Sequence, residues 1–169
     1  MKKTLILVLV LAFIPLLSFA ELGLGASAFL NNPVLIGQEA DASELRAGGF
    51  TFGGDVRFKL SILQLEALGL LSTGHEVTSI DLYADAGLAL DLAILRLSLG
   101  AGPTVFFVLN DSSDPLLAGY NVKANADLKL GRISVGLSYI MGLIAEDGLF
   151  NIKLDKSTGM LGANVLFWL

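Results

Sequence analysis

The sequence predicts an all-β protein: an eight-stranded antiparallel up-and-down transmembrane β-barrel, preceded by a cleaved signal peptide. Three observations carry this prediction. The chain opens on a basic, then apolar, then small-residue leader. Eight later segments alternate apolar and polar residues with a period of two, the signature of a strand with two unlike faces. The mean hydropathy is high, +0.72. Yet no apolar run after the leader reaches the roughly 18 residues of a membrane helix. High hydropathy spread over many short segments is what a membrane barrel requires.

The leader is MKKTLILVLVLAFIPLLSFA. Lys2 and Lys3 are its basic region, residues 4–17 its apolar core, and Ser18-Phe19-Ala20 supplies small residues where a signal peptidase cuts. An uncleaved anchor is the competing reading, but the apolar run is short for a span of about 20 residues. The expected organisation is a signal peptide at 1–20 and one barrel domain at 21–169. The chain has no Cys, so it carries neither a lipid-modified cysteine nor a disulfide. Losing Lys2 and Lys3 takes the formal charge from −5 to −7. That balance argues against a general nucleic-acid binder, which needs a basic footprint.

The strands follow in order. In the first, Leu22, Leu24, Ala26, Ala28 and Leu30 share a face. The second, FTFGGDVRFKL, sets Phe50, Phe52, Gly54, Val56, Phe58 and Leu60 against Thr51, Gly53, Asp55, Arg57 and Lys59. The third sets Leu63, Leu65, Ala67, Gly69 and Leu71 against Gln64 and Glu66. In the fourth, Ile80 to Leu90 alternates with Asp81, Tyr83, Asp85 and Gly87. The fifth, Leu95 to Phe107, carries Arg96, Ser98, Gly100 and Thr104 on its polar side. The sixth, Tyr120 to Leu130, carries Asn121, Lys123, Asn125, Asp127 and Lys129. The seventh, Ile133 to Met141, faces Arg132, Ser134, Gly136 and Ser138 the other way. The eighth, Leu161 to Leu169, does the same with Gly162 and Asn164. Leu68, Leu70, Phe106, Leu166 and Trp168 fall on the nominally polar side. Ala and Leu favour helix, but a helix would mix Asp81, Asp85 and Asp127 into leucine faces, so the period outweighs the propensity.

The connections alternate in length. Strands two and three, four and five, and six and seven meet in tight turns near 61–62, 91–94 and 131. Loops at 32–47, 72–79, 110–118 and 145–157 are longer and rich in turn residues. Tight turns at one rim and longer loops at the other describe a meander with a periplasmic and an outer end. Asp41 and Glu44 in the first loop have the spacing of a helix capping box, with a plain loop as the equal alternative.

The greasy face is expected to point outward. The polar face is rich in Gly, Ser and Ala, which suits the narrow, side-chain-filled interior of an eight-stranded barrel. Its charges balance: Arg57, Lys59, Arg96, Lys123, Lys129 and Arg132 against Asp55, Glu66, Asp81, Asp85, Asp91 and Asp127. Balance is what a confined interior needs, because an unpaired buried charge is costly. The competing reading turns the same faces inside out, as a soluble lipocalin-like barrel that carries a lipid in the periplasm.

The leader, eight alternating strands, tight turns and the ending ANVLFWL resemble the small outer-membrane barrels of the OmpA, OmpX and OmpW type. The resemblance spans the mature chain. Val165, Phe167 and Leu169 supply the alternation of the terminal strand, although the final residue is Leu rather than the usual Phe. Aromatic residues available to girdle the barrel are few: Phe50, Phe52, Phe107, Tyr120, Tyr139 and Phe167. The resemblance implies residence in the outer membrane, contact with its lipid, insertion by the barrel-assembly machinery, and, by likeness to OmpW, an apolar solute.

Little chemistry is written elsewhere. His75, the single His, lies among Ser72, Thr73, Glu76 and Ser79, and reads as a solvated loop residue rather than part of a supported catalytic site. With one His and no Cys there is no recognisable metal set, and the short Gly-rich runs, such as LGAG at 99–102, precede no helix, so they are not phosphate loops. The expected function is a non-catalytic structural or surface-interaction protein of the outer membrane, without cofactor and without a nucleic-acid partner. The twelve interior charges are expected to form a plug of ion pairs. A small pore or hydrophobic-solute channel stays open beside it.

Overall fold

A computed structural model describes residues 20–30, 50–73, 78–109, 116–145 and 152–169. Residues 1–19 of the expected signal peptide, the Asp41–Glu44 spacing and His75 lie outside these residues; Ala20, the expected last residue of the leader, opens the first strand. Eight strands follow one another: β1 (Ala20–Leu30), β2 (Phe50–Leu60), β3 (Leu63–Thr73), β4 (Thr78–Leu92), β5 (Leu95–Val108), β6 (Leu116–Leu130), β7 (Ile133–Ala145) and β8 (Ile152–Trp168). Each pairs antiparallel with its neighbours in sequence, and β1 pairs with β8 to close the barrel. No described helix is long and apolar enough to cross a membrane.

The tight turns sit where the sequence places them, at residues 61–62, 93–94 and 131–132. Each opens on a residue with positive φ: Ser61 at 58°, Ala93 at 53° and Gly131 at 70°. Positive φ at this place is a property of the primed hairpin turns, whose twist matches that of the strands they join. At the other end the strands run further than the alternation predicts. β4 starts at Thr78 and β6 at Leu116, and β8 starts at Ile152, inside the stretch read as a loop. A bulge between Gly142 and Ile144 accompanies the extension of the β7–β8 hairpin.

The β1–β8 seam shows how the narrow barrel is packed. Gly23 pairs with Trp168 and Phe29 with Gly162. A Cβ on Gly162 would stand 2.3 Å from the Phe29 ring, and one on Gly23 would stand 3.0 Å from the Trp168 indole. Each aromatic side chain folds over the cross-strand glycine, so large rings fit inside a barrel of only eight strands.

The faces are inverted relative to a soluble sheet. Phe52, Leu65, Leu99, Leu137 and Leu161 are each more than half exposed (58, 56, 58, 61 and 52%). Asp55, Arg57, Glu66, Lys123 and Asp127 are buried. The lipocalin-like orientation is therefore excluded: the apolar stripes form the outer wall, and the charges are the interior.

Candidate functional site

Alternation within each strand delivers polar side chains to the lumen, and register decides which of them meet. Asp55 and Arg57 project inward from β2, Glu66 from β3, and Lys123 and Asp127 from β6. Arg57 is the hub. Its guanidinium reaches the carboxylates of Asp55 at 2.7 Å, Asp127 at 2.8 Å and Glu66 at 3.3 Å. Its planar fork presents five donors, which lets one residue serve three carboxylates. Lys123 pairs with Glu66 and stands 3.7 Å from Asp55. Neutral groups extend the network: Asn125 Nδ2 donates to Ser98 Oγ at 2.9 Å, Ser138 Oγ to Asn125 Oδ1 at 2.6 Å, and Asn164 Nδ2 to Ser138 Oγ at 2.8 Å.

A second cluster lies toward the tight-turn rim. Asp91 receives Lys59 at 2.9 Å, Arg96 at 2.6 Å and Lys129 at 3.5 Å. Arg96 also pairs with Glu21, and its guanidinium carbon sits 4.1 Å from the ring centroid of Trp168. The Trp168 indole N–H donates to Ser134 Oγ at 2.9 Å. Cation, ring and hydroxyl pack together at this end of the lumen.

Toward the loop rim the interior turns apolar. Phe29, Leu68, Leu70, Tyr83 and Ile140 form one buried cluster, with Phe106 and Met160 packed against it. The Tyr83 and Phe106 rings meet edge to face with centroids 6.2 Å apart. At the loop-side edge of this layer, paired across the ladders with Leu70 and Phe106, Asp81 accepts from Ser79 Oγ at 2.8 Å and Ser72 Oγ at 3.3 Å. The lumen thus reads, from tight turns to loops, as charged, charged, apolar, then hydroxyl-lined.

Ten of the twelve predicted charges fall into this arrangement: nine in the two clusters and Asp81 beyond them. Asp85 is buried as expected but reaches no cation. Arg132 is a correction. It occupies the Gly131-Arg132 turn and is exposed, because the strand ends at Leu130 and a turn residue has no inward face. Glu21, not expected in the interior, takes part at the rim because β1 begins at Ala20. The predicted balance of six and six is corrected with it. The described charges are five positive (Arg57, Lys59, Arg96, Lys123, Lys129) against seven negative (Glu21, Asp55, Glu66, Asp81, Asp85, Asp91, Asp127). Phe29 and Ile140 were also missed as inner residues. Strand parity marks them inward, but their neighbours in sequence are apolar too, so no contrast draws attention to them.

A closed eight-stranded meander with an apolar wall and a polar, side-chain-filled lumen has the fold of the small outer-membrane barrels. Two solved structures give that class particular members. The N-terminal β-barrel domain of OprF from Pseudomonas aeruginosa superposes with a TM-score of 0.62 at 16% identity, covering 87% of this chain and 97% of its own. Neisserial surface protein A, NspA, superposes at 0.61 with 14% identity, covering 88% and 96%. At these identities the likeness is one of fold. Neither a protein-family model nor a curated protein sequence matches the chain.

Proposed function

We propose that the chain is an integral outer-membrane barrel of a diderm bacterium, exported by residues 1–20, with a structural or surface-interaction role and no catalysis. The observation that carries this reading is the side-chain-filled lumen behind an apolar wall. Two ion-paired clusters and the layer around Leu68, Leu70 and Phe106 fill the interior, while the outer stripes expose leucine and phenylalanine. A filled eight-stranded barrel leaves no wide aqueous path. Lipid is the natural partner of the outer wall. The alternating end of β8, Val165 and Phe167 outward, suits recognition by the barrel-assembly machinery. Planar-bilayer recording tests the closed state: the reconstituted barrel is expected to pass no current above that of the lipid. Steady single-channel steps would overturn it in favour of a pore.

The inner apolar cluster favours one second reading, a site for a small apolar molecule. Saturable uptake of an apolar dye by the folded barrel, lost in Leu70→Asp, would favour this reading; no uptake, or uptake unchanged in Leu70→Asp, would remove it.

A further inference from the structure

Among the described residues, Asp85 is the one interior carboxylate with no ion pair or hydrogen bond at contact distance. It is 5% exposed, and neither of its oxygens accepts a hydrogen bond from any described residue. Its nearest donors, Asn121 and Lys123, are shared with other acceptors. Asn121 gives its amide hydrogens to Gly102 O at 3.1 Å and Thr104 Oγ1 at 3.0 Å, and Lys123 is held by Glu66 and Asp55. Glu66, directly across the β3–β4 ladder from Asp85, adds negative charge to its surroundings. Asp81, the other carboxylate without a cation, differs in having two hydroxyl donors. Among the described residues, the interior negative charge is therefore least compensated at Asp85.

That carboxylate borders a cavity of about 10 Å³, lined also by Gln64, Glu66, Gly87, Leu99 and Gly100. The side-chain oxygen of Gln64 likewise has no described donor and is buried. Two residues that carry three unpartnered acceptor oxygens between them thus line a space large enough for one water-sized particle. Leaving a buried carboxylate both unpaired and without hydrogen bonds costs several kcal/mol or about that order.

We propose that this cavity is a site for one monovalent alkali-metal cation, held by the Asp85 carboxylate and Gln64 Oε1 with Glu66 beside it. A cation answers the unpartnered oxygens and the uncompensated carboxylate together, whereas a water supplies two hydrogens and no charge. A divalent ion fits less well. Calcium takes about six to eight oxygens and magnesium a near-ideal octahedron, and no group of three metal-ligating acids or histidines occurs among the described residues. The proposal goes beyond the envelope role above and does not depend on it, since it concerns the folded barrel in any amphiphile.

The test uses the full mature barrel folded in detergent and crystallised in rubidium chloride. Wild type is expected to show an anomalous rubidium peak in the cavity, absent in Asp85→Asn. In parallel, the urea midpoint is compared in rubidium chloride and in N-methylglucamine chloride at equal ionic strength. Wild type is expected to unfold later in the alkali salt, and Asp85→Asn equally in both. Gln64→Leu, which keeps the charge, should shift the half-effective rubidium concentration upward by about tenfold, the equivalent of one lost ligand contact. A wild-type cavity holding only a non-anomalous water overturns the proposal, as does a peak that persists in Asp85→Asn.

Discussion

Arg57 shows what a single residue decides inside this barrel. Its side chain is fully buried, and three carboxylates depend on it. Arg57→Met removes the cation and leaves Asp55, Glu66 and Asp127 facing one another, with Lys123 in contact with only the first two. The expected loss is about 3–5 kcal/mol, the range for breaking a buried ion pair from one side. Lys129→Met is the control. Its side chain is 29% exposed and reaches Asp91 at 3.5 Å, and Asp91 keeps Lys59 and Arg96, so about 0–1 kcal/mol is expected. Urea unfolding in detergent micelles separates the two; similar losses would mean that Arg57 is not the hub. The identities of most of these charges are legible in the sequence because parity alone puts them inward. Who meets whom is not. Arg57 and Asp127 lie far apart in sequence on nonadjacent strands, and only the curvature of the closed sheet brings them together.

At the scale of the strand, the period of two predicts the outer wall residue by residue. Leu137, Ile133, Val135 and Leu161 all lie where alternation puts them, exposed on the outside. If lipid is their solvent, the cost of a charge must depend on depth. Leu137 stands four residues from the tight turn and Ile133 at its edge. Leu137→Arg is expected to destabilise the barrel in bilayers by about 2–4 kcal/mol, and Ile133→Arg by about 0–1 kcal/mol. Equal costs in the two variants would place these stripes against something other than a bilayer. Strand ends were less legible than strand centres. In IKLDKST, polar residues come too often for a lipid-facing stripe, so the segment reads as loop; β8 nevertheless includes it. The ladder hydrogen bonds that extend a hairpin past the apolar band need only backbone, which leaves no mark in side-chain pattern.

At the scale of the molecule, closure is the central event. The β1–β8 pairing leaves no edge strand, so every strand has two partners and disruption requires opening the whole ladder. The folded barrel is therefore expected to stay closed in dodecyl sulfate without heating and to migrate differently from the boiled chain on a gel. A single position with and without heating would count against a closed, resistant barrel.

The sequence by itself determined the strand number, the meander order, the three tight turns and the sense of the two faces. Those features rest on local properties: the period of two, turn chemistry, and the absence of a helical span. Only the tertiary structure decided how the interior is divided. It moved Arg132 out to a turn, drew Glu21 onto Arg96, gathered Phe29, Tyr83 and Ile140 into an apolar layer, and left Asp85 facing a small cavity without a partner. The reason is geometric. Alternation fixes which side of the wall a residue occupies, but its height and its neighbours across the lumen depend on register and curvature, which no single strand encodes.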